Sequence, residues 1–489
     1  MPPARNGGLN QVYPPIDTGR RLCYNAYRPD HPTSFKGEHT MGYTRPFGVQ
    51  RSYELFARAQ SLIPGGTQLI SRRPDRYAYG VTPALAERAK GCRFWDVDGN
   101  EYIDLQMAVG ACVLGYADDA VDAAVIEQIR RGPAPSVSTT VELELAEELT
   151  NTIPCAEMVR FCKGGGEANA IAIRIARAYT GRDKIAFCGY HGWHDWYLAA
   201  NLESTAVLND YLLPGIEPAG VPRGLAGTAI PFAWENLASL EQVLETHKGE
   251  IAAVILEPAR SFDPKPGYLE GVRELATRYG AVLIFDEVVT GFRLHIAGAQ
   301  GKYGVVPDIA TYAKAISNGY PFGAVAGRRE IMSTAADLFI SSTYWSDPIT
   351  AAAALATIRE YKRRDVQTYI DRMGKRYMQT FNALAEQAEV PARFAGMGCS
   401  FVLQWEFENP DPLLRKQATT LFIQECNKRG IFAAGGMHMC WAHTEAELEE
   451  LKPRWEEVLG VLRDAIRAGD IAGRLEAEVS KEAFRRLVR

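Results

Sequence analysis

The chain lacks most of the features that would commit it to a large or charged partner. Lys and Arg number 54 against 59 Asp and Glu, a formal net charge of −5, so no basic surplus exists to hold nucleic acid. No polybasic segment offers itself to an acidic membrane surface either. Long apolar runs are missing: residues 251–256 and 281–285 are the most extended, far short of the ~20 residues that cross a bilayer. Residues 1–8 contain no apolar core of the kind that directs export. The nine cysteines are scattered, odd in number and without a C-x-x-C pair. That pattern excludes a disulfide or zinc framework and points to reduced thiols in a cytoplasm. The G-x-x-x-x-G-K-[ST] loop of nucleoside triphosphatases is absent, as are internal repeats and low-complexity tracts. What is present is a 489-residue chain, 47% hydrophobic, able to bury a large core and suited to small-molecule chemistry.

Three zones follow one another. Residues 1–50 are rich in Pro, Gly, Tyr and Arg without periodicity and read as an irregular arm. From about 90 to 340, short apolar runs alternate with helical patterns, the signature of an α/β fold with a mostly parallel sheet. Segments 158–162, 184–188, 252–256 and 282–285 read as buried strands, with helices over 167–179 and 269–279. Beyond 350 the texture is helical, with amphipathic stretches at 351–363, 367–388 and 445–468. The expected division is an arm (1–50), a small domain begun by 51–105 and completed by 346–489, and a large domain over 106–345.

Chemistry gathers in three places. At Phe161-Cys162-Lys163-Gly164-Gly165-Gly166-Glu167-Ala168-Asn169 a strand runs through three glycines into a helix. Bare backbone there can approach an anion, and the helix N-terminus supplies unpaired NH groups, so a phosphate is the natural ligand. Plain packing and dinucleotide sites use such turns too, and the motif alone leaves its ligand open. At Ile284-Phe285-Asp286-Glu287-Val288-Val289-Thr290-Gly291-Phe292-Arg293 an apolar strand ends in a carboxylate pair at the sheet edge where α/β proteins bind ligands. Asp286 there could face a cationic ring nitrogen or magnesium, or cap a helix. Lys314 is flanked by small and apolar residues and followed by Gly319, Pro321 and Gly323. In a desolvated setting its amine would lose charge and become a nucleophile. A solvated lysine is the ordinary alternative. His191 and His194 have H-x-x-H spacing but no third ligand nearby, so no metal is expected.

Taken in order, these motifs resemble the class III aminotransferases among the fold type I pyridoxal phosphate enzymes, and within them the glutamate-1-semialdehyde aminomutase-like branch. The resemblance runs from about Tyr53 to about residue 460 through Pro64-Gly65-Gly66, Phe94-Trp95-Asp96-Val97-Asp98-Gly99-Asn100, Arg177-Ala178-Tyr179-Thr180-Gly181-Arg182, Tyr190-His191-Gly192, Leu256-Glu257-Pro258 and the motifs of Asp286 and Lys314. It implies a large domain with a mostly parallel seven-stranded sheet flanked by helices and a smaller α+β domain. It implies that Lys314 carries pyridoxal 5′-phosphate and moves the substrate proton, and that Asp286 keeps the pyridine nitrogen protonated. Val288 and Tyr190 would cover the two ring faces, with His191 and Glu257 as further cofactor contacts. Gly165 and Gly166 would hold the phosphate through their NH groups. Thr343 would reach the phosphate of a neighbouring subunit, which makes the active unit a homodimer. The chain departs from its relatives at Gly164-Gly165-Gly166, where Ser-Gly-Thr is usual, at Ser346-Asp347-Pro348 for Gly-Asn-Pro, and at Ser317-Asn318-Gly319-Tyr320 for a triple glycine.

The implied activity is transfer of an amino group between an amino acid and a carbonyl substrate by ping-pong half-reactions. An intramolecular aminomutase is the alternative of the same chemistry, a non-catalytic scaffold subunit the alternative of another class. A nicotinamide oxidoreductase using glycines 164–166 would leave Lys314 without a role. Arg72 aligns with an arginine that grips a substrate carboxylate, which a guanidinium fork does well. Trp193, in His191-Gly192-Trp193-His194-Asp195-Trp196-Tyr197, adds aromatic surface and resembles relatives from amino-sugar pathways, so a sugar-derived carbonyl is a candidate substrate.

Overall fold

Seven strands form the central sheet of the computed structural model, which describes residues 47–209, 211, 215–408 and 411–480. Most of the arm expected over 1–50 lies outside the described residues. The sheet strands are β4 (Met158–Cys162), β5 (Lys184–Cys188), β6 (Ala229–Pro231), β7 (Ile251–Leu256), β8 (Val282–Asp286), β9 (Ile309–Tyr312) and β10 (Gly323–Gly327), numbered after three strands given below. Their order is β4-β10-β9-β8-β7-β5-β6. Every residue of β7, β8 and β9 is buried, as an apolar run covered by helices on both faces must be. β5 to β9 pair in parallel, whereas β10 runs antiparallel to both its neighbours. β4 therefore points the same way as β5 to β9. The carboxyl ends of β4, β5, β7, β8 and β9 consequently open on one edge of the sheet, and each feeds one of the sequence motifs into it.

Amphipathic helices lie between these strands and after them. Gly165–Thr180 buries Ala168, Ile171, Ala172 and Ile175, spaced at three and four residues, against the sheet and ends on Gly181 in the left-handed region. Val366–Gln387 buries Ile370, Met373, Tyr377, Phe381 and Ala385 on one stripe. Glu445–Arg467 starts on a capping box made by Thr444 and Glu447 and buries Leu448, Leu451, Trp455 and Leu462.

Two smaller sheets complete the fold. β1 (Ala86–Lys90), β2 (Arg93–Asp96) and β3 (Glu101–Asp104) are joined by β13 (Ile431–Phe432), which pairs in parallel with β3. β11 (Ala392–Met397), β12 (Ser400–Trp405) and β14 (Gly436–His438) form the other. The helical texture read beyond residue 350 is thus interrupted by four short strands. At two to six residues each, they carry too little alternation to stand out among long amphipathic helices. After β3 the chain makes a left-handed turn through Met107, Ala108, Val109 and Gly110, with φ of 46°, 52°, 58° and 79°. Three successive non-glycine residues in this region cost roughly 1–2 kcal/mol each. The carboxylate of Asp104 holds the turn in place by accepting from the NH groups of Gln106 and Met107 at 2.7 and 2.9 Å.

Candidate active site

Asp286, the last residue of β8, is buried and fully engaged. Its Oδ2 accepts from Asn169 Nδ2 at 2.7 Å and lies 2.8 Å from His191 Nδ1, and its Oδ1 accepts from the Val288 NH at 3.1 Å. A carboxylate can only accept, so His191 carries its proton on Nδ1. Asn169 in turn accepts from Thr311 Oγ1 at 2.7 Å and donates to the His191 carbonyl at 3.2 Å. Residues from β8, β9, the glycine-led helix and the turn after β5 therefore lock one carboxylate in one orientation. Sequence reading missed Asn169 and Thr311. Asn169 could have been found: it is a polar residue on the otherwise apolar face Ala168, Ile171, Ala172, where burial demands a partner.

Crowding requires glycine at two points around the turn, Gly165 and Gly192, while Gly164 faces open space. A Cβ on Gly165 would lie 2.8 Å from both methyl carbons of Val288, and one on Gly192 would lie 2.8 Å from the Cα of Gly166. Tyr190, 41% exposed, offers its NH to Glu257 Oε2 at 3.0 Å, just beyond the end of β7. Burial raises the pKa of Glu257, with Arg260 opposing.

Lys314 opens the short helix Lys314–Ser317 just after β9, with φ of 56°, and is half-buried. Desolvation lowers the pKa of its amine and Arg293 adds to the effect, while Glu257 and Asp286 pull the other way. The following turn is pinned to the segment after β3: Asn318 Oδ1 accepts from the Leu114 NH and its Nδ2 donates to the Gly115 carbonyl, both at 2.8 Å. Arg293, also missed, is fully buried. It donates to the carbonyls of Gly110 at 2.6 Å, Met439 at 2.8 Å and Cys399 at 3.3 Å. His438 lies near it, with Nδ1 3.1 Å from Ser400 Oγ. Burial, then the charges of Arg293 and Lys314, hold its pKa well below the usual histidine value.

The remaining expected residues sit at the surface. Trp193 is 71% exposed and stacks on His194 with ring centroids 4.4 Å apart. Arg72 is exposed at the end of the short helix Ile70–Arg72. Thr343 is exposed at the start of the turn Thr343–Ser346.

Residues 76–446 match the family model for aminotransferase class-III. The chain belongs to the class III aminotransferases. A 3-aminobutyryl-CoA aminotransferase from Cloacimonas acidaminovorans is 36% identical over 410 residues, which cover 82% of this chain and 94% of the relative. A glutamate-1-semialdehyde 2,1-aminomutase from Roseiflexus castenholzii is 36% identical over 441 residues, 86% of this chain and 99% of the other. Among solved structures, an omega-transaminase from Sphaerobacter thermophilus superposes with a TM-score of 0.75 at 28% identity, covering 86% of this chain and 99% of that one. The aminotransferase has the α/β fold of the fold type I pyridoxal phosphate enzymes, and pyridoxal phosphate is the family's cofactor. The residues present fit such a group. An amine of lowered pKa and a fixed carboxylate lie at the same edge of the sheet as a turn stripped of side chains, and two buried imidazole nitrogens, His191 Nε2 and His194 Nδ1, have no hydrogen-bond partner among the described residues.

Proposed function

We propose that this aminotransferase attaches pyridoxal phosphate through Lys314 and exchanges amino groups between an amino donor and a carbonyl acceptor in two half-reactions. The observation that carries the reading is the pairing of a desolvated Lys314 amine with the triply hydrogen-bonded Asp286 at one sheet edge. The cofactor, when bound, withdraws electrons from the substrate carbon and makes its C–H bond ionisable. The Asp286 carboxylate, held on Oδ2 by Asn169 and His191 and on Oδ1 by the Val288 NH, would keep a proton on the ring nitrogen. Lys314 Nζ, neutral at lower pH than an ordinary lysine, would take the proton from the substrate carbon and return it. Val288 and Tyr190 would bound the ring, with His191 and Glu257 beside it. The NH groups of Gly165 and Gly166 would hold the phosphate, the first open donors of their helix.

Thr343 is proposed to serve the site of a second copy, in a homodimer. The exposed aromatics Phe339 and Tyr344 on the same segment support that surface. The small domain is proposed to combine 51–105 with 346–489 around the large domain 106–345, a division supported by the pairing of β13 with β3. A cytoplasmic location is supported by eight free, buried cysteines among the described residues. Among these residues no helix is long and apolar enough to cross a membrane.

Arg72 and Trp193 are proposed substrate contacts, with a sugar-derived carbonyl as one acceptor class. 3-Aminobutyryl-CoA carries its amino group on the third carbon, so donors should be screened among β-amino acyl compounds as well as α-amino acids. The relatives named aminomutases support a second reading, turnover without any added donor. Borohydride reduction of the purified enzyme followed by peptide mass spectrometry tests the cofactor reading. The pyridoxyl mass should fall on Lys314 and vanish in Lys314→Ala; a colourless protein that takes up no pyridoxal phosphate would sink it. Conversion of bound cofactor to its amine form across the donor panel separates transferase from mutase.

A further inference from the structure

Arg293 is a buried charge without a counter-ion. Its guanidinium donates to the carbonyls of Gly110, Met439 and Cys399, its Nε has no partner, and no carboxylate pairs with it among the described residues. Buried charges are ordinarily paired, so a positive potential is left here for something else to complement. His438 stands beside it. A Cβ built on Gly110 would lie 3.2 Å from the imidazole Cγ and 3.4 Å from Arg293 Nε, so the two side chains close on one glycine.

The fold brings this pair to Lys314, because residues 105–115 tie β14 to the helix that Lys314 opens. The Leu105 carbonyl accepts from the His438 NH and the Val113 carbonyl from the Trp441 NH, both at 2.8 Å, while Leu114 and Gly115 are held by Asn318. The charges that bear on His438 are those of Arg293 and Lys314, with no carboxylate among them, whereas Asp286 and Glu257 act on Lys314 itself.

Ser400 fixes what the imidazole can offer. Its buried hydroxyl has His438 Nδ1, at 3.1 Å, as its one partner among the described residues. A buried hydroxyl needs an acceptor, so Ser400 donates to Nδ1 and the ring proton sits on Nε2. Nε2 makes no hydrogen bond among the described residues and stays open to solvent, His438 being half-buried. Burial, then Arg293 and Lys314, keeps the ring neutral by holding its pKa well down. The result is an unused N–H donor in a positive field close to the Lys314 amine.

We propose that His438 Nε2 donates a hydrogen bond to the carboxylate of the amino donor, whose charge the buried guanidinium of Arg293 complements. The inference rests on the cofactor reading above and names a substrate class for the same site, amines that bear a carboxylate. His438 would be a substrate-binding residue, and Arg293 would act through its field without touching substrate.

The test gives the holoenzyme two matched pairs of amines, 3-aminobutyrate with isopropylamine and L-alanine with ethylamine, the second of each lacking only the carboxylate. Conversion of bound cofactor to its amine form is followed by absorbance in single half-reactions over a range of concentrations. Wild type should convert at least one amino acid faster than its plain amine. In His438→Phe, which keeps a ring against Gly110 without the donor, the concentration of that amino acid giving half the limiting rate should rise about tenfold, the scale of one lost hydrogen bond to a charged group. Its limiting rate, and both parameters for the plain amine, should stay within about twofold, since no carboxylate contact is at stake there. His438→Gln, which restores an N–H, should recover most of the loss. Equal weakening of both members of a pair would make His438 a packing residue and overturn the proposal. An unchanged response to the amino acid would overturn it too, as would a wild type that holds cofactor and converts neither amino acid faster than its plain amine. Should His438→Phe lose its circular dichroism spectrum, His438→Leu carries the same comparison. A wild type that takes up no pyridoxal phosphate would instead overturn the cofactor reading on which the proposal stands.

Discussion

At the scale of single residues, the site is a carboxylate that cannot turn and an amine that is discharged early. Asp286 accepts from three partners drawn from three segments, so Asp286→Asn keeps the shape while removing the charge proposed to stabilise a protonated ring nitrogen. Turnover should fall roughly 10²–10³-fold, the usual loss when a charge aimed at the reacting system is removed, with the cofactor still bound. Steady-state rates together with the absorbance of bound cofactor check both halves. If the cofactor attaches through Lys314 as proposed, the pH dependence of attachment follows from that amine. Its folded pKa is depressed below 10.5, first by burial and then by Arg293. Above that depressed pKa the amine is neutral and attacks; as pH falls through it the amine is protonated and attachment slows. The same depression means that the charged form is disfavoured by folding, so the residue's contribution to stability is full above 10.5 and is lost as pH falls through the folded value. Stopped-flow uptake of pyridoxal by the stripped enzyme should show a midpoint below 10.5, and a midpoint at or above it would remove the desolvation argument.

At the scale of elements, much was legible because the large domain obeys simple periodicities. Segments 158–162 and 184–188 are strands with the expected bounds, and 252–256 and 282–285 differ from theirs by one residue each. The motifs at their ends share one edge because the strands are parallel. What stayed hidden is long-range. Nothing local announces that β10 reverses, that Met107–Gly110 winds left-handed, or that Arg293 will be buried, since each is set by partners far along the chain. Arg293 is the clearest case. Its guanidinium joins the loop after β3 (Gly110), the turn between β11 and β12 (Cys399) and the residue after β14 (Met439). Arg293→Met would strand the carbonyls of Gly110 and Met439, while that of Cys399 keeps the Met439 NH at 3.1 Å, and the loss is partly offset by sparing the cost of burying a charge. A loss of roughly 2–4 kcal/mol is expected, read as a lower denaturation midpoint in urea. The turn at 107–110 should also become the first part to exchange its amide hydrogens, because Arg293 holds the carbonyl of Gly110.

At the scale of the whole molecule, the proposed homodimer rests on the exposed aromatics of segment 339–344. Phe339 is 86% exposed and Tyr344 68%, on a segment whose backbone is fixed: the carbonyl of Phe339 accepts from Arg174 at 3.2 Å and that of Ile340 from Arg160. A pinned backbone presenting bare aromatics has already lost the entropy that ordering an interface would cost, which is what a preformed docking surface requires. Thr343 lies within this segment, so in the proposed homodimer a contact that buried Phe339 would also carry the proposed approach of the Thr343 hydroxyl to the second copy's phosphate. Phe339→Glu places a charge in that contact, and burying an unpaired carboxylate is strongly disfavoured. Sedimentation should show wild type as a dimer and the variant shifted to monomer, and the monomer should hold pyridoxal phosphate at least about tenfold more weakly, the scale of one charge-assisted hydrogen bond. A variant that becomes monomeric with undiminished cofactor affinity would show that each copy completes its own phosphate site, and Thr343 would then lose its proposed role.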